Sequence, residues 1–365
     1  MLERLGRIFP PGSLDDQRRR WVVRLIAART IFVMLYAFAV QGVRNQQWIR
    51  PATVTRMTDE QMARQGKDDR LGWIERMQRP GGRPQAGEKP WYNENTRESI
   101  RDETLDTLLH VGAVVERQNI SPQSAAPRYA LEFQFACLFD PDIPEEELKE
   151  RIREWQDEHL SPAGKARLHR QRQLEQAAEQ PFQVQVGNRI VHLPPGESTA
   201  IIRGLLEDFR RLYAPGSQVM YISSVRGRQR QVAEELARQL DIRLDRTAGE
   251  FDLMLVQVTN GVTFWLIEVV ASGGYIDAVR KEQLERLAQR CRIDADRIIL
   301  LSAFKTRTVP IFRRAMSSIA ANTVVWCADE PERIWVTIER EPAPSKALRE
   351  FLGALLTSPP ASHHV

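Results

Sequence analysis

The stretch GEFDLMLVQVTNGVTFWLIEVVASGG, residues 249–274, constrains the fold of this chain most. Two apolar runs of strand length flank a turn at 259–261, and this pattern predicts a β-hairpin. Each predicted strand carries one acidic residue, Asp252 or Glu268, among apolar neighbours. A carboxylate on a core strand is costly unless its charge is compensated, and one hairpin would bring both carboxylates together. The sequence therefore predicts a buried pair of acids.

The predicted acid pair has two interpretations. Two carboxylates are hard oxygen ligands of the kind that suit magnesium, which keeps several waters and activates one against a phosphodiester. Alternatively, Asp252 caps a strand and Glu268 pairs with a nearby arginine, which is common in a chain so rich in arginine. The spacing of the two acids leaves both interpretations open.

The composition is that of a globular protein with an unusual choice of basic residue. A length of 365 residues allows two or three domains. The chain has 45 arginines against 7 lysines, and the arginine fork suits phosphates and guanine edges. GC-rich codon usage would give the same count. The three cysteines are far apart and lack zinc spacing, which predicts reduced thiols in a cytoplasmic protein.

The apolar run TIFVMLYAFAVQGV, residues 30–43, resembles a membrane segment at first sight. Its 14 residues are too few to span a bilayer, and no small-residue cleavage site follows it. The run therefore predicts a buried helix within a helical region over 13–44. Ser13, with Asp16 three residues later, is the predicted N-cap.

The remaining pattern of the N-terminal region predicts a winged helix-turn-helix. A second helix is expected over 50–64, and a third begins at the predicted cap Asn95 and stops before Gly112. The segments AVVER and RYALEFQF predict a two-stranded wing. On the third helix, Arg97 and Arg101 share an exposed face near the end where recognition helices contact DNA.

The alternative for this third helix is an ordinary solvated face. Glu98 and Asp102 are available as salt-bridge partners of the two arginines, so the local field is not strongly positive. The pattern alone favours neither interpretation.

Four segments are expected along the chain. Residues 1–142 form the winged helix-turn-helix domain, and 143–180 form a helical connector. In 181–345 strands and helices alternate, which predicts an α/β domain with a mixed central sheet. Residues 346–365 read as a C-terminal tail with a disordered end.

The C-terminal half resembles the BsuBI/PstI restriction endonucleases, a branch of the PD-(D/E)XK nuclease superfamily. Three segments carry the resemblance in order: WLIEVVASGGYIDAVRKEQLERL, RIILLSAFKTR and TVVWCADEPERIWV. LPPGESTAIIRGLLEDFRRLYAPGSQVMYI is similar to the family's lead-in helix and strand. NTRESIRDETLDTLLHVGAVV and RYALEF are similar to its helix-turn-helix domain, so the resemblance spans roughly residues 14–340.

The resemblance implies a set of metal-binding residues. Asp252 and Glu268 would hold Mg²⁺, helped by the backbone carbonyl that follows Glu268. Strand alternation would place Glu268, Val270 and Ser272 on one face. The superfamily commonly has lysine at the position of Val270, and an apolar residue there is typical of this family.

The missing lysine leaves the positive charge to another residue. Arg280 matches a basic position of the family's following helix, and Lys281 is its neighbour. The resemblance implies that one of them stabilises charge on the scissile phosphate. Both are equally well explained as ordinary surface charges.

Some positions depart from the family pattern. Phe251 stands where the family usually has proline before the first metal-binding acid. Ser198 and Ala200 stand where its lead-in helix often has histidine and glutamate. The two implied metal ligands are nevertheless present, so the sequence resembles a diverged member.

The implied function is a magnesium-dependent type II restriction endonuclease acting on duplex DNA. The resemblance implies a short palindromic target like CTGCAG, a homodimer that matches the palindrome, and a cognate DNA methyltransferase as genetic partner. The alternatives are a less specific nuclease of the superfamily in repair or defence, and a winged-helix DNA-binding protein with an inert nuclease core.

Overall fold

The chain folds into two compact units, Met1–Leu168 and His169–Val365. The computed structural model describes residues 1–79, 81–121, 124, 126–223, 230–244, 251–259, 261–341 and 343–357. The boundary between the units lies inside the stretch that the sequence predicts as a helical connector. The two expected connector helices are present as α10 and α11, whose bounds follow.

The first unit is mainly helical. Its helices are α1 (Leu2–Ile8), α2 (Asp16–Val22), α3 (Leu25–Tyr36), α4 (Pro51–Thr55), α5 (Asp59–Met62), α6 (Lys67–Gln78), α7 (Thr96–Ser99), α8 (Asp106–His110), α9 (Phe133–Cys137), α10 (Glu145–His159) and α11 (Pro162–Ala178), the last of which continues into the second unit. A π-helical turn, Ile100–Leu105, joins α7 to α8. The third helix expected from sequence is therefore present with a wider turn at its centre.

The apolar N-terminal run forms a buried helix, as predicted, but the helical region is interrupted. The α2 helix is capped by Asp15, whose carboxylate accepts from the backbone N–H of Gln17 and Arg18. The predicted cap Ser13 is wrong, because its hydroxyl donates to the Pro10 carbonyl instead. In the described part of the chain, no helix has the length and apolar character needed to cross a membrane.

Two further helix predictions need correction. The single helix expected over 50–64 is two short helices, α4 and α5, because Thr58 accepts from the Gln61 N–H and starts a new helix. The predicted cap Asn95 makes no side-chain capping bond. Gly112 has a φ of +70°, which is the conformation of a helix stop, and that prediction is confirmed.

The predicted wing is a short antiparallel hairpin. Strands β1 (Val114–Glu116) and β2 (Tyr129–Leu131) pair in the register Val114 to Leu131. The second strand is shorter than expected because Glu132 accepts from two backbone N–H groups and caps α9. The N-terminal unit thus has the predicted combination of helices and a two-stranded wing.

The second unit is built on a mixed seven-stranded sheet with the order β11-β10-β9-β8-β7-β5-β6. Its strands are β5 (Gln218–Ser223), β6 (Arg230–Val232), β7 (Leu253–Val258), β8 (Val262–Val270), β9 (Ile298–Phe304), β10 (Thr323–Cys327) and β11 (Ile334–Thr337). β8, β9 and β10 run parallel, and the other pairs are antiparallel. A separate hairpin is formed by β3 (Phe182–Val186) and β4 (Arg189–Leu193). The prediction of an α/β core with a mixed sheet is confirmed.

Helices cover both faces of this sheet. They are α12 (Glu197–Gly204), α13 (Arg210–Tyr213), α14 (Glu234–Gln239), α15 (Ala278–Arg290), α16 (Pro310–Ala315) and α17 (Lys346–Thr357), with a π-helical turn, Leu205–Phe209, between α12 and α13. On one face Trp265 and Ile267 of β8 share a core with α12 and α17. On the other face Phe264 and Leu266 share a core with α15, as strand alternation requires.

The prediction of a C-terminal tail over 346–365 is wrong for residues 346–357, which form a helix. The α17 helix buries Ala347 and Leu348 in the core under the sheet. Its Phe351 ring lies edge-on to Trp265, with ring centroids 5.0 Å apart. The remaining tail, 358–365, lies outside the described residues, as does Asn260 of the hairpin turn.

Candidate active site

The two predicted acids lie opposite each other at one end of the β7–β8 hairpin. Leu253 of β7 pairs with Ile267 of β8, so continuing the antiparallel register by one residue sets Asp252 against Glu268. Asp252 immediately precedes β7, and its own N–H donates to the Ile267 carbonyl at 3.2 Å. Glu268 lies within β8 and is 6% exposed. The predicted pairing of the two acids is therefore matched by the geometry, with Glu268 buried and Asp252 half-buried.

The two carboxyl groups lie close together and are poorly solvated. One oxygen of Asp252 accepts from the Val269 N–H at 2.7 Å. Burial raises the pKa of Glu268 to about 8, with the charge of Asp252 as the second cause. Burial also raises the pKa of Asp252. Two adjacent carboxylates cannot both ionise cheaply, so near neutral pH the pair shares a proton unless a cation joins it.

Arg280 is the cation that faces this pair. Its Nε and Nη2 donate to Glu268 Oε1 at 2.9 and 2.6 Å, and its Nη1 donates to Gln283 Oε1 at 3.1 Å. Arg280 lies in the first turn of α15, where Asp277 caps the helix by accepting from the Arg280 N–H at 2.7 Å. Its charge lowers the pKa of both acids, but less than burial raises them.

Contacts from β9 fix the start of α15. Ser302 is the β9 partner of Glu268 in the parallel register, and it is fully buried. Its hydroxyl accepts from the Ile276 N–H at 3.0 Å. This bond ties the loop before α15 to the strand beside Glu268, and so places Arg280. Sequence reasoning missed both Ser302 and Gln283, because neither carries a charge or belongs to a recognisable pattern.

Lys281, the other basic candidate, points elsewhere. Its Nζ donates to the Ala321 carbonyl at 2.8 Å and lies 3.9 Å from Glu285. Neighbouring positions on a helix differ by about 100° in direction, so Arg280 and Lys281 cannot both turn toward Glu268. The structure brings Arg280 to the acid pair and leaves Lys281 at the side of the helix.

The two other residues expected on the Glu268 face have different surroundings. Val270 is buried with Phe304 and Phe312 in a small apolar cluster, so the site usually held by lysine in the superfamily is filled by core packing. The strand ends at Val270. Ser272 lies two residues beyond that end and is exposed, so strand alternation no longer determines its direction, and the expectation of a shared face does not hold for it.

The acid pair and one carbonyl are the candidate ligands for a metal ion. Within the described ranges, no group of three or more histidine, cysteine, aspartate or glutamate residues is placed to hold a metal. Asp252 and Glu268, with the carbonyl of Val269, offer hard oxygen donors and few protein ligands. This donor set fits Mg²⁺, which keeps most of its waters in protein sites.

The N-terminal candidates Arg97 and Arg101 are exposed on their helix. Arg101 forms a bidentate pair with Asp102, at 2.6 and 2.9 Å, which is one of the salt bridges that the alternative interpretation anticipated. Such an exposed pair is worth little in water and exchanges readily for a phosphate partner.

Comparisons with known proteins agree with this division of the chain. Residues 3–169 match the BsuBI/PstI restriction endonuclease HTH domain, and residues 182–339 match the BsuBI/PstI restriction endonuclease domain. The type II restriction enzyme BsuBI of Bacillus subtilis is 29% identical over 154 residues, which cover 42% of this chain and 46% of that enzyme. The matched part is therefore about half the length of that relative.

Two further similarities extend over more of the chain. The type II restriction enzyme AplI of Arthrospira platensis is 22% identical over 249 residues, covering 66% of this chain and 72% of that enzyme. The SdaI restriction endonuclease structure is 19% identical, with coverage of 93% and 95% and a TM-score of 0.39.

An HTH domain followed by an endonuclease domain is the domain order that the two matching family models describe. The two domain models together match most of the chain, so the protein belongs to the BsuBI/PstI restriction endonuclease family. The resemblance noted from the sequence is confirmed.

Proposed function

We propose that this protein is a magnesium-dependent type II restriction endonuclease that hydrolyses phosphodiester bonds in duplex DNA. The observation that carries the proposal is that Asp252 and Glu268 lie opposite each other on the β7–β8 hairpin, where burial and the charge of Asp252 raise the pKa of Glu268 to about 8. Among the residues that the structure describes, Arg280 is the cation that contacts this pair, through Glu268. Membership of the restriction endonuclease family supports the same reaction class.

Asp252 and Glu268, with the Val269 carbonyl, would hold the Mg²⁺. When bound, the ion supplies Lewis-acid charge and a water of lowered pKa. The protein contributes a dry setting for these ligands, because both acids lie against the apolar core and the Val269 N–H fixes the orientation of Asp252.

Arg280 would contribute the fixed positive charge beside the scissile phosphate. Its guanidinium is already held within hydrogen-bond distance of Glu268, and metal binding by Glu268 would free part of that fork to donate to a phosphate oxygen. Lys281 is committed to Ala321 and is the weaker candidate for this role. Ser272, exposed two residues beyond the end of β8, is a further candidate for a contact to DNA near the scissile bond.

The DNA target is proposed from family membership. A short palindrome resembling CTGCAG would be read by a homodimer, because a two-fold DNA site matches two-fold protein symmetry. Arg97 and Arg101 of the HTH unit would contact DNA. A cognate DNA methyltransferase would protect the host sequence.

The test is digestion of plasmid and phage DNA with magnesium or with EDTA. Glu268→Gln is the variant, and Glu330→Gln is the matched control, because Glu330 is equally buried but lies in another cluster. We expect discrete magnesium-dependent fragments from the wild type and the control, and none from Glu268→Gln. Magnesium binding measured by calorimetry should be lost in the same variant.

The other outcomes separate the alternatives. A magnesium-dependent smear would indicate a less specific nuclease and would contradict the palindromic target. No cleavage at all, together with salt-dependent DNA binding and no calorimetric magnesium binding, would indicate a DNA-binding protein with an inert core.

A further inference from the structure

The outward face of α15 carries a run of basic and amide side chains. Arg280, Gln283, Arg286, Gln289 and Arg290 line one open depression on the surface. The lining contains three arginines, two glutamines and no acid. Successive members are mainly three or four positions apart, which places them on one side of the helix.

The opposite side of α15 explains why this face is presented to solvent. Leu284, Leu287 and Ala288 are buried against the sheet, so the helix cannot rotate without exposing its core residues. The acids of α15 lie to the sides, where Glu285 pairs with Lys281 at 3.9 Å and Glu282 pairs with Arg286. The pair with Glu282 is exposed, and exposed pairs at this spacing contribute little to stability.

This face is continuous with the acid pair. Arg280 contacts Glu268 with two of its nitrogens and Gln283 with the third. From Arg280 to Arg290 the helix rises about 15 Å. One strand of B-DNA places a phosphate about every 3.4 Å along its axis, so the face is long enough to follow several consecutive phosphates that begin at the catalytic acids.

We propose that the Arg280–Arg290 face of α15 binds the phosphate backbone of duplex DNA on one side of the scissile bond. The inference rests on the proposed nuclease function for the direction of the DNA, and it adds a DNA-binding surface outside the HTH unit. Arg286 and Arg290 contact phosphates, and the Gln283 amide orients Arg280 while its N–H groups remain on the DNA side.

The test compares two double variants that remove the same charge. R286Q/R290Q changes the α15 face. R211Q/R349Q changes two exposed arginines on elements that pack against the opposite face of the sheet, and Arg211 is ion-paired with Asp208 as Arg286 is with Glu282. Affinity for a non-specific duplex is measured by fluorescence anisotropy in EDTA, over a series of salt concentrations.

The plot of log K against log salt concentration has a negative slope, and each lost phosphate contact should reduce the magnitude of that slope by about 0.9. We therefore expect the magnitude of the slope for R286Q/R290Q to fall by about 1.8 relative to the wild type, and the slope for R211Q/R349Q to stay near the wild-type value. Equal slopes for the two double variants would overturn the inference. A change of oligomeric state in R286Q/R290Q, seen by sedimentation, with an unchanged slope would overturn it too, by assigning this face to a second copy of the chain.

The binding assay contains EDTA and therefore measures DNA affinity without cleavage, so it tests this inference independently of the nuclease proposal. A reduced slope with a wild type that cleaves no DNA would support the α15 surface and contradict the nuclease. A wild type that cleaves DNA with equal slopes for both variants would contradict the α15 surface alone.

Discussion

Two pairs of acids lie at the same edge of the central sheet, and their partners differ. One pair is Asp252 and Glu268, and the other is Asp329 and Glu330, which follow β10. Glu268 and Glu330 are both 6% exposed. β8 and β10 run parallel to the β9 strand between them, so Glu268, near the end of β8, and the residues that follow β10 lie at a common edge.

In the second pair, Glu330 holds two arginines. It forms ion pairs with Arg307 at 3.2 Å and with Arg333 at 3.4 Å. Asp329 accepts from the Gln171 amide at 3.2 Å, although burial still raises its pKa. The charge of Glu330 is compensated within the fold, which is what a structural role requires, whereas Asp329 Oδ1 is buried without a hydrogen-bond partner among the described residues.

The first pair is held differently. Among the described residues, Arg280 donates to Glu268, and Asp252 accepts from the Val269 N–H. Burial, followed by the charge of Asp252, raises the pKa of Glu268 to about 8, so ionising both acids in the metal-free protein costs stability. In the proposed function, Mg²⁺ would supply further positive charge to the Asp252–Glu268 pair, which makes its raised pKa the mark of a candidate functional site.

Among the substitutions in the two acid pairs, Asp252→Asn should have the largest effect on cleavage. The amide keeps the size of the side chain and still accepts from the Val269 N–H, but it removes one candidate metal ligand. We expect cleavage to fall by more than roughly 10²-fold, because even the loss of an outer-shell partner of a metal costs 10- to 100-fold. The melting temperature without metal should rise, since Glu268 loses the adjacent like charge. Retained cleavage, or a lower melting temperature, would contradict the assignment.

The stability of the metal-free protein should fall as pH rises. The pKa of Glu268 is about 8 in the folded chain against an ordinary value of 4.5, so the folded state keeps a proton that the unfolded state has lost. The stabilisation is complete below the unfolded pKa and disappears as pH rises through the folded pKa, with a total on the order of a few kcal/mol.

Urea unfolding in EDTA across the same pH window measures this loss. Glu268→Gln cannot titrate, and its stability should change less with pH than that of the wild type. An equal pH dependence in the two proteins would assign the titration to another group.

Glu330→Gln should lower stability and leave cleavage unchanged, whereas Asp252→Asn should raise stability and abolish most cleavage. It leaves Arg307 partly buried without its charged partner, which should destabilise the protein by about 2 kcal/mol, less than the loss for a fully buried pair. Cleavage measured well below the melting temperature should remain near the wild-type rate. Thermal unfolding gives the first quantity, and an unchanged melting temperature would show that Glu330 is not a structural anchor.

The acid pair could be predicted from sequence because its determinants are local. The β7–β8 hairpin is a short-range structure, and its register follows from two alternating apolar runs around one turn. Asp252 and Glu268 therefore meet once the hairpin forms. The alternation of strands and helices likewise predicted the mixed sheet, since each element carries its own period.

The choice between Arg280 and Lys281 could not be predicted in this way. Both occupy the first turn of one helix, and their directions differ only by the helical rotation. Which of them faces Glu268 depends on the docking of α15, and that depends on distant contacts such as the bond between Ser302 and Ile276. The packing of α17 could not be predicted for the same reason. Its residues Leu348 and Phe351 pack against a face of the sheet whose strands lie far away in the sequence.

Arg333→Ala should change stability least, and it serves as the reference for Arg307→Ala. The side chain of Arg333 is 60% exposed, whereas that of Arg307 is 27% exposed, although both contact Glu330. An exposed ion pair contributes about 0–1 kcal/mol, so Arg333→Ala should lower the free energy of unfolding by less than about 1 kcal/mol and leave cleavage unchanged. Arg307→Ala, measured by the same urea titration, should cost more because its guanidinium is less solvated. A larger loss of unfolding free energy for Arg333→Ala than for Arg307→Ala would mean that burial does not decide which arginine stabilises Glu330. The difference between Glu330 and Glu268, which pairs with Arg280, would then need another explanation.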